Sequence, residues 1–132
     1  MYQNLLIDVS FLAKVLGIDS DSKLRESAKQ SIANSSLFAP QLIEYELGSI
    51  TLKYRNIIDI DYLFRAYQYL GIKLINPSDL SNIFKISRKY NLSFYDASYL
   101  EILQKNKSID AFLTYDHDFA KVKDKRVKVF VN

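Results

Sequence analysis

The chain reads as an α/β domain, a parallel sheet of about five strands covered on both faces by helices. Three observations predict it. Short apolar runs alternate with amphipathic stretches along the whole chain, and Ser, Asp and Pro residues that start helices recur between them. The first apolar run, Leu5-Leu6-Ile7, stops at an acid, Asp8, and passes into the helical stretch Phe11 to Leu16. Parallel strands need long crossovers, which helices supply with right-handed connections. Sheets of this kind place their chemistry beyond the carboxyl ends of the strands.

The elements follow in order. Leu5-Leu6-Ile7 is the first strand and the run after it the first helix, closed by Gly17 as a C-cap. Asp19-Ser20-Asp21-Ser22 is a polar loop whose Ser or Asp caps a second helix running to about Ala33. Ser36 to Ala39 is the second strand, and Pro40 opens a helix to about Tyr54 with Leu42, Ile43, Leu47, Ile50 and Tyr54 on one stripe. A helix from about Asp59 to Leu70 ends at Gly71, and Ile72 to Ile75 is the third strand. Pro77 and Ser78 introduce a helix from Asp79 to Tyr90, and Ser93 caps another that carries Asp96 and ends by Lys107. Ala111 to Thr114 is the fourth strand, a short helical turn follows Asp118, and Val127 to Val131 is the fifth. With 132 residues and neither repeats nor linkers, residues 1–132 are expected to form one domain.

Composition narrows the chemistry. The chain has no cysteine and one histidine, His117, which removes disulfides, thiolate nucleophiles and zinc sites built on Cys or His. No apolar run approaches the ~20 residues of a membrane span, so the expectation is a cytoplasmic protein without membrane contact. The net charge is +3; with four acids set aside as a site, 18 bases face 11 acids, a balance suited to polyanions.

Four acids stand out, and each also has an ordinary structural role open to it. Asp8 is placed to cap the first helix, Asp96 to complete a Ser-x-x-Asp capping box with Ser93, and Asp116 to make an Asx-turn beside Asp118. Glu46, with Leu42, Ile43 and Ile50 at helical spacing, sits at the edge of the inward stripe, unlike Glu44. Neither Glu46 nor Asp96 has a Lys or Arg three or four residues away. Carboxylates crowded without cationic partners call for a hard divalent ion, Mg²⁺ or Mn²⁺.

Asp8-Val9-Ser10 after a strand, Tyr45-Glu46-Leu47, Tyr95-Asp96-Ala97-Ser98-Tyr99-Leu100 and Thr114-Tyr115-Asp116-His117-Asp118-Phe119, in that order, resemble the PIN-domain nucleases, and among them the VapC-type toxins of prokaryotic toxin-antitoxin pairs. The resemblance implies a three-layer PIN-like fold with strand order 3-2-1-4-5. It implies a Mg²⁺-dependent endoribonuclease with Asp8, Glu46, Asp96 and Asp116 as catalytic and metal-binding acids, supported by the Ser10 and Thr114 hydroxyls, with Asp118 as a candidate fifth acid. A metal-activated water would hydrolyse RNA to leave a 5′-phosphate and a 3′-hydroxyl. It further implies a homodimer silenced by a small VapB-type antitoxin. Lys14, one turn beyond Ser10, is a candidate phosphate contact, and Tyr62 and Tyr69 a candidate partner surface. A catalytically silent PIN-like module binding RNA or protein is the alternative. A phosphate-receiver domain or a haloacid-dehalogenase-type phosphatase fits worse, since the first wants paired early acids and the second an Asp where Ser10 stands.

Overall fold

The computed structural model describes residues 3–18 and 21–132. Its elements are β1 (Asn4–Ile7), α1 (Val9–Leu16), α2 (Ser22–Ile32), β2 (Ser36–Ala39), α3 (Leu42–Lys53), α4 (Ile60–Tyr69), β3 (Lys73–Leu74), α5 (Leu80–Tyr90), α6 (Phe94–Lys105), β4 (Ala111–Thr114), a 3₁₀ turn (His117–Lys121) and β5 (Val127–Val129). The sheet is parallel throughout, in the order β3-β2-β1-β4-β5. The α/β class, the number of strands and their order are those expected.

Alternation along the central strands creates the layers. Leu5 and Ile7 of β1, with Ala111 and Leu113 of β4, join a core with Phe11, Leu12, Val15, Ala28, Ile32, Ile43, Leu47 and Leu63 from α1 to α4. Leu6 and Phe112 face the other way, into a core with Ile83, Ile86, Ala97, Tyr99, Ile102 and Leu103 from α5 and α6. Both central strands are buried on two faces, which is why they read as unbroken apolar runs.

Caps mark the helix ends. The side chains of Asp8, Asp21, Asp59, Asp79 and Ser93 each accept a backbone N–H in the first turn of the helix they precede. Asp21 is thus the cap expected from the polar loop; Asp19 and Ser20 lie outside the described residues. Gly17, at φ +77°, closes α1 in the left-handed conformation, and the Ile18 N–H returns to the Ala13 carbonyl at 2.9 Å.

Three boundaries differ from the sequence expectation. The helix expected from Pro40 begins at Leu42, because Pro40 and Gln41 make the entering turn and the Gln41 N–H is held by Asn76 Oδ1 at 2.9 Å. The third strand shortens to Lys73–Leu74 and the fifth to Val127–Val129. Both are edge strands with one neighbour, so the ladder ends early, although Ile75 and Phe130 still donate to Ala39 and Thr114 at 2.9 and 2.8 Å.

Candidate metal-binding active site

The strand order reverses between β1 and β4, whose carboxyl ends lie side by side with Ile7 opposite Leu113. Chain direction changes on either side of that point, leaving a crevice at the strand ends. Asp8 follows β1, and Asp116 follows β4 by two residues. Glu46 enters from the second turn of α3 and Asp96 from the first turn of α6.

Asp8 is buried, with 6% of its surface exposed. Its Oδ1 accepts from Ser10 Oγ at 2.6 Å and from the Phe11 N–H at 3.1 Å, and its Oδ2 accepts from Thr114 Oγ1. The two hydroxyls also organise the β4 end: Ser10 Oγ accepts the Tyr115 N–H and Thr114 Oγ1 the Asp116 N–H, both at 2.9 Å. One carboxylate and two hydroxyls therefore fix the backbone that carries Asp116. Burial pushes the Asp8 carboxyl up to about 6; its three hydrogen bonds oppose the shift and the Asp116 charge adds to it.

The remaining acids are less buried and less fully engaged than Asp8. Asp96, Asp116 and Asp118 each bring one oxygen within 4.8 Å of the others, and among the described residues these are the acids close enough to share an ion. Burial raises the Asp96 carboxyl, with Asp116 and Asp118 adding and Lys121 opposing. Burial likewise raises Glu46, with the Asp96 charge adding to the shift. The fields form a chain from Glu46 to Asp96, to Asp116 and to Asp8, so the four acids expected from sequence share one neighbourhood.

The tightest group differs from the expected quartet in one respect. Asp118, expected as an additional acid, belongs to it, whereas Asp8 and Glu46 flank it. The reason is local: Asp8 is spent on hydrogen bonds, while Asp116 Oδ1 accepts the Asp118 N–H at 2.9 Å and that turn swings the Asp118 carboxylate back beside it. The Asx-turn and the Ser93–Asp96 cap exist as well as the cluster, so the structural and the chemical roles coincide in the same residues.

Tyr99 is the residue that sequence reasoning passed over. Its hydroxyl donates to Glu46 Oε1 at 3.1 Å, from a ring that is 2% exposed and stacked on Phe112 with centroids 5.5 Å apart. Burial raises its phenol far above the ordinary range, and the Glu46, Asp8 and Asp96 charges raise it further. The available signal was its position one turn after Asp96 on the same helix face. His117 is exposed in the turn, as expected. The basic stretch from Lys121 to Lys128 is partly structural, since Arg126 is tied to Asp124 at 3.4 Å and to the Asn106 and Ile109 carbonyls.

The donor set fits a hard divalent cation. Opposite oxygens around Mg²⁺ stand about 4.2 Å apart, at twice the usual metal–oxygen distance. Adjacent oxygens stand closer, at about 3 Å, so the three carboxylate oxygens, which lie within 4.8 Å of one another, would draw inward to hold such an ion. The class is thus an acid-lined crevice at the switch point of a parallel α/β sheet, with donors of the kind a divalent metal takes.

Comparison with known proteins places this class. The PIN domain family model matches residues 5–125, and the chain belongs to that family, whose members are typically metal-dependent nucleases. Its fold is similar to the crystal structure of PAE2754 from Pyrobaculum aerophilum, with a TM-score of 0.62 and 21% identity over 93% of this chain and 89% of that one. No curated protein matches the sequence.

Proposed function

We propose that the chain is a Mg²⁺- or Mn²⁺-dependent endoribonuclease and the toxin of a VapBC-type pair. The nuclease reading is carried by the convergence of Asp96, Asp116 and Asp118 at the switch point with Asp8 and Glu46 beside them. Without a counter-ion this much negative charge repels a phosphodiester. A divalent cation held by Asp96, Asp116 and Asp118 would offset that charge and lower the pKa of water beside the scissile phosphate. The chain's own residues supply the positioning. Asp8, Ser10 and Thr114 hold the Asp116 backbone, and Tyr99 aims Glu46 toward the cluster. Water oxygen attacks phosphorus, the P–O3′ bond breaks, and the departing 3′-oxygen takes up a proton. Single-stranded RNA is favoured as substrate because Tyr45 and Tyr95, adjacent in sequence to Glu46 and Asp96, are 70% and 62% exposed; exposed rings next to a basic protein's active site stack unpaired bases.

The partner reading rests on a groove of about 580 Å³ between α1, α2 and α4. Val15, Ile32 and Leu70 line it with the exposed Tyr62 and Tyr69, and Arg25, Lys29 and Arg65 add positive charge. That chemistry suits an antitoxin segment with apolar and acidic side chains. A homodimer formed through the same tyrosines is the other outcome of a sedimentation experiment.

Incubating the purified protein with end-labelled single-stranded RNA tests the nuclease reading. Internal cleavage leaving 5′-phosphate and 3′-hydroxyl ends is expected in Mg²⁺ or Mn²⁺ and none in EDTA. RNA that stays intact in both ions while still binding would leave the silent module as the better reading.

A further inference from the structure

A second cavity, of about 290 Å³, lies beside Asp8 and is lined by two lysines. Ser10, Lys14, Lys53, Tyr54, Tyr115 and Asn132 are among the residues that line it, and no Asp or Glu is. Ser10 belongs to both places, since its hydroxyl is bonded to Asp8. Lys14 lies four residues further along α1 on the same face, about 6 Å along the helix axis. That is close to the spacing of successive phosphates in an extended strand.

The two lysines are held but not neutralised. Lys14 Nζ stands 5.6 Å from the centre of the Tyr115 ring and Lys53 Nζ 5.5 Å from that of Tyr54. Ring contacts of this kind orient an ammonium group while leaving its charge available. Among the described residues neither lysine makes an ion pair. Lys14 is also half-buried, whereas Lys53 is exposed.

We propose that this cavity binds one phosphate of the substrate strand, the neighbour of the phosphate placed at the acids, with Lys14 and Lys53 sharing that single anion. The choice of RNA as the source rests on the nuclease reading; the cation site itself rests on the cavity and its lysines. The strand would then run from the crevice over Ser10 to Lys14, which fixes its direction across the sheet's carboxyl edge.

The test compares the wild-type protein with K14Q/K53Q and K14R/K53R. In EDTA, binding of a fluorescein-labelled oligouridylate is followed by anisotropy from low to moderate KCl. K14Q/K53Q should bind at least about tenfold more weakly at low salt, and its log K against log salt should be shallower by about 0.7, the value for one phosphate on a single strand. K14R/K53R should bind like the wild type, and all three should unfold at similar temperatures. An unchanged slope overturns the proposal, as does a decrease of about 1.4 or more, which would make the lysines independent contacts. Lysine-dependent competition by an acidic peptide, without lysine-dependent RNA binding, overturns it in favour of a protein partner. Cleavage in Mg²⁺ or Mn²⁺ is scored separately on the same samples. A wild type that binds through the lysines but never cleaves loses the nuclease reading and keeps the subsite. A K14Q/K53Q variant that binds and cleaves like the wild type does the reverse.

Discussion

Asp8 and the Asp96–Asp116–Asp118 group sit in one crevice and use their carboxylates in opposite ways. Asp8 is buried with both oxygens engaged by Ser10, Thr114 and the Phe11 N–H. The trio is half-buried to exposed, and each member brings one oxygen within 4.8 Å of the others, although Asp116 Oδ1 also accepts the Asp118 N–H. The contrast separates two tasks that the four-acid pattern merges. Asp8, with Ser10 and Thr114, builds the floor that positions Asp116, and in the proposed function the trio would present ligands to a cation.

The largest expected effect comes from Asp116→Asn. Asparagine keeps the oxygen that accepts the Asp118 N–H, so the turn survives while the ligand charge is lost. Cleavage should fall at least about 1,000-fold, near 4 kcal/mol of barrier. Saturating Mn²⁺ at about 100 times its Kd should stabilise the wild type by about 2.7 kcal/mol and the variant far less. Thermal melts with and without Mn²⁺ read this directly. Equal stabilisation of both would place the ion elsewhere.

Asp8→Asn breaks the comparison on the other side. The folded protein holds this carboxyl at about 6 against 3.8 for an ordinary one, so the protonated form is favoured on folding. Its stabilising contribution is therefore full below about pH 4 and is lost as pH rises through 6, a change of about 3 kcal/mol. In EDTA, urea unfolding should show the wild type losing that much more stability than Asp8→Asn between pH 4 and 7.5. Parallel pH profiles would show that Asp8 is not the buried acid described. Asp118→Asn should do less than either, a several-fold loss of cleavage with unchanged melting, because Asp118 is exposed and bonded only through its backbone N–H.

The same contrast explains what could be read from the sequence. The two central strands, Leu5-Leu6-Ile7 and Ala111 to Thr114, were legible because strands buried on both faces are apolar throughout, whereas the sheet order came from the family resemblance. The edge strands β3 and β5 were visible only roughly, because a strand with one neighbour ends where its partner does. Glu46 and Asp96 stood out because a carboxylate on an apolar helix face conflicts with its surroundings, and Asp8 and Asp116 because they follow the ends of apolar strands. Asp118 joins the trio through a turn whose direction depends on φ and ψ, which composition does not encode. Tyr99 was hidden for a different reason: a tyrosine on an apolar face looks like core until its hydroxyl is given a partner 53 residues away.

Tyr99→Phe gives the smallest effect and sharpens the boundary between the two tasks. The substitution keeps the ring stacked on Phe112 and removes one hydrogen bond to Glu46 Oε1. A lost buried hydrogen bond costs about 1 kcal/mol, which predicts a small drop in melting temperature and about a fivefold slower cleavage. The Tyr99 hydroxyl also opposes the upward shift of Glu46, so without it the Glu46 carboxyl rises further. The acid limb of the cleavage pH profile should accordingly move to higher pH in the variant. A lower melting temperature with an unmoved limb would make Tyr99 a packing residue only. A moved limb makes it the group that keeps Glu46 ionised beside Asp96, and assigns Glu46 to the open side of the crevice with the trio instead of to the floor with Asp8.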